Sequence, residues 1–219
     1  MELETAVERQ VPRLNDQAPE FEANSTHGPI RLSDFNGKWV VMFSHPADFT
    51  PVCSTEFAAF SSRSDDFARR GVQLIGISVD SVQSHLAWID NINTKLNVDV
   101  PFPVIADLDM KVSQLYGMIH PGASATATVR CVFFIDPKQI IRAIIYYPMQ
   151  VGRSMDEILR VVDALQLVDG KSVSTPANWK PGDAVVVPAP GTVEAMKKRK
   201  SGQEEGLNVV EWYLSTKQL

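Results

Sequence analysis

The run Trp39-Val40-Val41-Met42-Phe43-Ser44, stopped by His45-Pro46 and followed at once by Thr50-Pro51-Val52-Cys53, constrains this chain more than any other stretch. A short apolar run rich in β-branched and aromatic residues reads as a buried strand. Proline at position 51 suits the first position of a helix and restricts Thr50 to the extended geometry of an N-cap. Phe57, Phe60 and Phe67 then recur at helical spacing up to a stop near Gly71. Cys53 therefore falls in the first turn of a helix that follows a buried strand. The unpaired N–H groups of that turn and the positive end of the helix dipole favour an anion there. The thiolate, rather than the thiol, is the nucleophile.

The pattern repeats along the chain. Residues 15–37 read as irregular or as a short hairpin, with turn residues at Asn24, Ser25, Gly28 and Pro29. A second buried strand is predicted over 73–80, a helix over 81–93, a strand from 101 to 105 and a short helix over 110–116. Two β-rich runs, 126–135 and 140–147, are split by Asp136-Pro137-Lys138-Gln139, a hairpin turn. A helix over 155–167 carries Ile158, Leu159, Val162 and Leu165 on one side. Strands alternating with helices define an α/β fold, and the late hairpin adds antiparallel strands to its sheet. A linker with Pro176, Pro181 and Gly182 leads to a small tail, with a strand at 184–187, a basic helix at 193–200 and a strand at 209–214. So few residues build no stable core alone and must pack elsewhere.

Composition narrows the function. The 219 residues are 44% hydrophobic and 21% charged, an ordinary globular balance. A net charge of −5 argues against nucleic acid as a partner, so Lys197-Lys198-Arg199-Lys200 reads as a solvated helix face. No apolar run reaches the roughly eighteen residues of a membrane span. The first ten residues are acidic, with no hydrophobic stretch of the kind a signal peptide needs. Two cysteines far apart form no disulfide framework, and the expected location is the reducing cytoplasm. The cysteines and four histidines show no metal-ligand spacing, so neither metal nor other cofactor is expected.

The segment His45-Pro46-Ala47-Asp48-Phe49-Thr50-Pro51-Val52-Cys53-Ser54-Thr55-Glu56 resembles the active-site segment of the peroxiredoxins, in particular the one-cysteine, peroxiredoxin 6 type. The resemblance continues through Asp107, Tyr116-Gly117, Arg130 with Phe133-Phe134-Ile135-Asp136, Gly152 to Ile158, and Thr175 to Asp183. It implies a thioredoxin-like core, with a mixed central sheet flanked by helices, plus a small C-terminal α/β extension. The expected organisation is an N-terminal extension at 1–14, a peroxidase domain at 15–170 and a dimer-contact extension at 171–219. The implied reaction is reduction of hydrogen peroxide and organic hydroperoxides. The implied assembly is a homodimer, or a larger ring built from it.

By the same resemblance Cys53 is the peroxidatic nucleophile, oxidised to a sulfenic acid. Thr50 bonds through its hydroxyl to the thiolate and the peroxide, and Pro46 shields the site from water. Arg130 supplies a permanent cation with several fixed donors, and it interrupts an apolar strand where a solvated charge is out of place. His45, Glu56 and Arg153 are expected to orient these groups, with Glu56 able to pair to either arginine. His27, His85 and His120 read as surface or core residues. One departure matters: the Gly-Asp-Ser-Trp-Gly motif of a second, lipase-like site in animal members is replaced by Asn36-Gly37-Lys38-Trp39-Val40, so no phospholipase activity is carried over.

Cys131 sets the subclass. It follows Arg130 on a predicted strand, where adjacent side chains point to opposite faces. If Arg130 faces Cys53, Cys131 faces away, so an external thiol such as glutathione or a thioredoxin-like protein must reduce the sulfenic acid. A thiol–disulfide oxidoreductase would want Cys-x-x-Cys, which Ser54-Thr55-Glu56 does not provide. A holdase or scaffold role would survive loss of Cys53. The expectation is that Cys53→Ser abolishes peroxide consumption while Cys131→Ser retains most of it in a steady-state assay; equal loss in both contradicts the one-cysteine reading.

Overall fold

The computed structural model describes residues 11–202 and 204–219. Of the N-terminal extension expected at 1–14, the first ten residues lie outside the described part. The chain forms two compact units, one running to Met155 and the other from Asp156 to Leu219. None of the helices among the described residues is long and apolar enough to cross a membrane.

The first unit is built on seven strands: β1 (Glu22–Ser25), β2 (Gly28–Arg31), β3 (Trp39–Ser44), β4 (Val72–Ser78), β5 (Val104–Ala106), β6 (Arg130–Ile135) and β7 (Ile141–Tyr147). They lie in the order β2-β1-β5-β4-β3-β6-β7. At the centre β3, β4 and β5 run parallel, and β6 and β7 add antiparallel on one side. Parallel neighbours need long crossovers, supplied by helices. Helices α1 (Pro51–Ser62) and α2 (Ser64–Arg69) link β3 to β4, and α3 (Val82–Leu96) links β4 to β5. A short helix α4 (Lys111–Leu115) follows β5. Every residue of β3 and of β6 is buried, as apolar runs without polar alternation require.

The two faces of the sheet have different cores. Val40, Met42, Ile75, Ile77, Cys131, Phe133 and Ile135 meet Val112, Tyr116 and Met118 on one face. On the other, Phe43 stacks on Phe60 at 3.9 Å between ring centres and meets Phe57 and Phe102 edge-on. Burying four such rings contributes several kcal/mol on area alone, with edge and stacking geometry adding to it.

Several boundaries differ from the sequence reading. The helix expected to run on to Gly71 breaks at Arg63 into α1 and α2. The break lies in Ser61-Ser62-Arg63-Ser64, where serines compete for the backbone, and Asp66 of the new first turn pairs back to Arg63. The β-run expected from Thr126 begins only at Arg130. Before it, Ser124 Oγ accepts from the N–H groups of Thr126 and Ala127, and Thr128 Oγ1 donates to the His45 carbonyl at 2.7 Å. In the second unit the single strand expected over 209–214 is a hairpin, described next.

That unit contains α5 (Met155–Gly170), β8 (Val185–Val186), α6 (Val193–Lys200), β9 (Asn208–Glu211) and β10 (Leu214–Lys217). Its three strands lie antiparallel in the order β8-β10-β9. Val173, Trp179 and Val185 form a small core with Ala164 and Leu167. The β9–β10 turn at Trp212-Tyr213 lacks glycine, proline or asparagine. Glu211 makes it instead, its carboxylate accepting from the Trp212 N–H at 2.8 Å.

Gly76 on β4 lets α1 approach the sheet: a Cβ there would lie 3.3 Å from Phe57 Cζ and 3.4 Å from Val104 Cγ1. Gly76→Val is expected to cost about 1–3 kcal/mol through overpacking, read from the midpoint of urea unfolding.

Candidate active site

Local geometry delivers Cys53 to the end of the sheet. Thr50 is the N-cap of α1, with φ −108° and ψ 148°, and Pro51 opens the helix. Phe49 just before it has φ 54°, a left-handed conformation that a bulky side chain adopts only under strain. Asp48 anchors the turn: its N–H donates to Asp80 Oδ2 at 3.1 Å, and its carboxylate bonds to His45 Nε2 at 3.0 Å and to His85 Nδ1 at 2.9 Å. Pro46 is buried in the same loop.

Thr50 Oγ1 donates to the Ala47 carbonyl at 2.9 Å. It neither caps the helix nor, among the described contacts, bonds to the Cys53 sulfur as the resemblance implied. Its lone pairs stay available as acceptors.

Around Cys53 the charges interlock. The thiol is buried, and Arg130 Nη1 lies 3.3 Å from its Sγ. The same nitrogen donates to Glu56 Oε2 at 2.6 Å, and Arg130 Nε donates to the Met149 carbonyl at 2.9 Å. Glu56 sits one turn along α1 from Cys53, so both face β6. Its other partner is Arg153, which donates from the backbone N–H at 2.9 Å, from Nε at 2.8 Å and from Nη2 at 2.7 Å. Arg153 Nη1 reaches the Cys131 carbonyl at 3.0 Å. The Arg153 guanidinium also lies over the rings of Phe43 and Phe60, 5.2 and 5.5 Å from their centres. Burial alone would raise the Glu56 carboxyl, but the bonds and charge of Arg153, with Arg130 adding, hold it below its ordinary range. Two arginines and one glutamate leave one positive charge beside the Cys53 sulfur.

Cys131 lies on the opposite face of β6. Its Sγ is 3.0 Å from Ser44 Oγ, and Ser44 also accepts from the Cys131 N–H and donates to the Val129 carbonyl. Burial pushes the Cys131 thiol up to about 11, far from the thiolate a nucleophile needs.

Of the residues singled out in the sequence, Cys53, Arg130, Glu56 and Arg153 form one chain of contacts, and Thr50, Pro46 and His45 lie in the loop that leads to Cys53. The sequence reading passed over three neighbours. Asp48 enters the sequence reading only as part of the motif. His85 is fully buried and bonds Asp48. Trp88 donates from Nε1 to Ser54 Oγ at 3.2 Å and stacks on His45. The signal was the spacing of His85, Trp88 and Ile92, which puts the histidine on the apolar stripe of α3.

Known proteins bear on this arrangement. The sequence profile of the AhpC/TSA family matches residues 14–144, and that of the C-terminal domain of 1-Cys peroxiredoxin matches 164–202. "Peroxiredoxin 2" of Caldanaerobacter subterraneus is 54% identical over 209 residues, covering 95% of this chain and 94% of that protein. A peroxiredoxin of Aquifex aeolicus is 50% identical over 220 residues, covering 95% and 98%. Among solved structures, the yeast mitochondrial 1-Cys peroxiredoxin superposes with TM-score 0.84 at 44% identity, over 94% of this chain and 99% of that one. A cysteine-to-serine mutant of Peroxiredoxin 6 of Arenicola marina gives 0.83 at 37%, over 94% and 98%.

Glu56→Gln keeps the shape of the side chain but leaves two buried guanidinium groups without their counter-ion. The expected loss is about 3–5 kcal/mol in urea unfolding at neutral pH. Because the Glu56 carboxyl is held below its ordinary 4.5, its contribution is complete above that pH and fades as pH falls through the lower folded value. The gap between native and variant protein should therefore close on acidification.

Proposed function

The chain belongs to the AhpC/TSA family of peroxiredoxins, of the one-cysteine type, and catalyses thiol-dependent reduction of peroxides; on that premise we propose that Cys53 is the peroxidatic nucleophile and that an external thiol regenerates it. The observation that carries this reading is the 3.3 Å contact of Arg130 Nη1 with a buried sulfur in the first turn of α1.

The chemistry follows from the contacts. The Cys53 thiolate attacks the distal oxygen of the peroxide, the O–O bond breaks, and an alkoxide or hydroxide leaves and takes up a proton. Cys53 is left as a sulfenic acid. Arg130 Nη2 bonds no acceptor among the described residues, so this edge of a fixed guanidinium is available to an incoming oxygen. Thr50 Oγ1, with its proton committed to Ala47, can accept from the O–H of the peroxide. Buried Pro46 keeps bulk water off the sulfur. Glu56 and Arg153 hold Arg130 in place, and His45 steadies the loop.

Two external thiols then convert the sulfenic acid to thiol and water, leaving as a disulfide. Cys131 is the chain's other cysteine, and it is bonded to Ser44 on the far face of β6. The solved yeast relative is described as resolved via glutathione/thioredoxin systems. The same two classes of reductant are proposed here. Residues 15–170 serve as the peroxidase domain and 171–219 as the contact region of a homodimer or of a ring assembled from it. Exposed Val193, Val210, Tyr213 and Leu214 in that region offer the apolar surface such a contact needs. Two unpaired thiols suit work in the reducing cytoplasm.

Arg130→Met is expected to slow oxidation of Cys53 by hydrogen peroxide about 10²–10³-fold in stopped-flow measurements, the cost of losing one preorganised donor. A rate within a few-fold of native would remove Arg130 from the reaction.

A further inference from the structure

Beside the Cys53–Arg130 contact, the described residues bring a second set of ionisable side chains together out of reach of water: His45 at the end of β3, Asp48 in the loop that follows, and His85 on α3. The hydrogen bonds fix where the protons lie. His85 Nε2 is 3.1 Å from the Ile105 carbonyl on β5, which can only accept. His85 Nδ1 is 2.9 and 3.0 Å from the two oxygens of Asp48, which as a carboxylate also only accepts. Burial would raise the Asp48 carboxyl, yet bonds from His45 and His85 hold it well below its ordinary range, so it is ionised. Both ring nitrogens of His85 therefore carry hydrogen.

His45 is the complement. Its Nε2 is 3.0 Å from Asp48 Oδ1 and donates to it. Its Nδ1 is buried and has no partner among the described residues. A proton on that nitrogen would be a buried donor, and part of a buried charge, with nothing to accept it. Burial lowers His45, outweighing the pull of Asp48, and the charge of His85 acts in the same direction. Trp88 stacks on the ring at 5.1 Å and Phe57 meets it edge-on at 4.8 Å. Asp80, the further charge that faces the cluster among the described residues, is committed to the Asp48 N–H and the Ser78 hydroxyl. A metal ion held by the same three side chains would need the proton on His45 Nδ1, which meets no acceptor among the described residues.

We infer that His85 is a positioning residue for the peroxidatic centre: as an imidazolium it holds Asp48 ionised, pins the loop that enters Cys53, and fixes His45 as the neutral Nε2–H tautomer. One extra proton is shared among two histidines and a carboxylate, and it resides on the histidine farther along the chain from Cys53. The pin acts at the point of strain, since Asp48 immediately precedes left-handed Phe49 and the helix cap Thr50. The inference rests on the proposal that His45 belongs to the site; the protonation pattern can be measured apart from it.

Long-range ¹H–¹⁵N correlation spectra of histidine-labelled, reduced full-length protein at neutral pH decide it, with His85→Asn and His45→Asn assigning the signals. The expected result is two protonated nitrogens on His85 and a bare Nδ1 on His45. A bare Nδ1 on His85, or a protonated one on His45, would overturn the assignment, as would stoichiometric zinc retained by the purified protein. In folded His85→Asn, asparagine still donates to Asp48 but brings no charge. Without the His85 charge the hold on the Nε2–H tautomer of His45 should loosen, and the pH profile of Cys53 oxidation should differ from the native one. A folded variant with the native tautomer and a native pH profile would also overturn it. The spectra need no peroxide, so their failure is distinct from failure of the peroxidase reading, which native turnover tests.

Discussion

The salt bridge that Glu56 makes with both Arg130 and Arg153 is the contact on which the rest of the site depends. Buried charges are costly unless each is paired and hydrogen-bonded. Here one carboxylate accepts from two guanidinium groups and a backbone N–H, with every side-chain bond between 2.6 and 2.8 Å. The cluster ties α1 to β6 and to the loop after β7. It leaves one unit of positive charge, and the Cys53 sulfur is where that charge is met. Under the role proposed for Cys53, the bonds that hold the cluster together are also the ones that set a cation beside the sulfur.

Strand alternation divides the chemistry. Arg130 and Cys131 are neighbours in sequence, yet β6 sends one to the aromatic face with Cys53 and the other to the aliphatic face with Ser44. That geometry gives two buried thiols in one chain different surroundings. Cys53 has a cation and a helix N-terminus beside it. Cys131 has a hydroxyl partner and an apolar surround that raises its thiol to about 11.

How much of this was legible in the sequence depended on whether the signal was local. The buried strands, the helix opening at Thr50-Pro51 and the face assignment of Arg130 follow from period and turn chemistry, and the structure has them. The break at Arg63 and the hairpin at Trp212-Tyr213 escaped notice because side chains, rather than glycine or proline, make those turns. The Thr50 hydroxyl was assigned to the sulfur by resemblance; in the structure the Ala47 carbonyl, three residues back, holds its proton. His85 lies 37 residues from the Asp48 it binds, and only the fold could show that contact. Its place on the apolar stripe of α3 marked it as buried but not as bonded.

Cys53 alone is proposed to carry the oxidation, with no second cysteine of the chain resolving it. This is tested most directly by treating the reduced protein with one equivalent of hydrogen peroxide in the presence of a sulfenic-acid trap, then measuring intact mass and mapping peptides. The account predicts a single trap adduct on the Cys53 peptide and an unmodified Cys131 peptide. A disulfide joining Cys53 to Cys131, within a chain or between two, would contradict it.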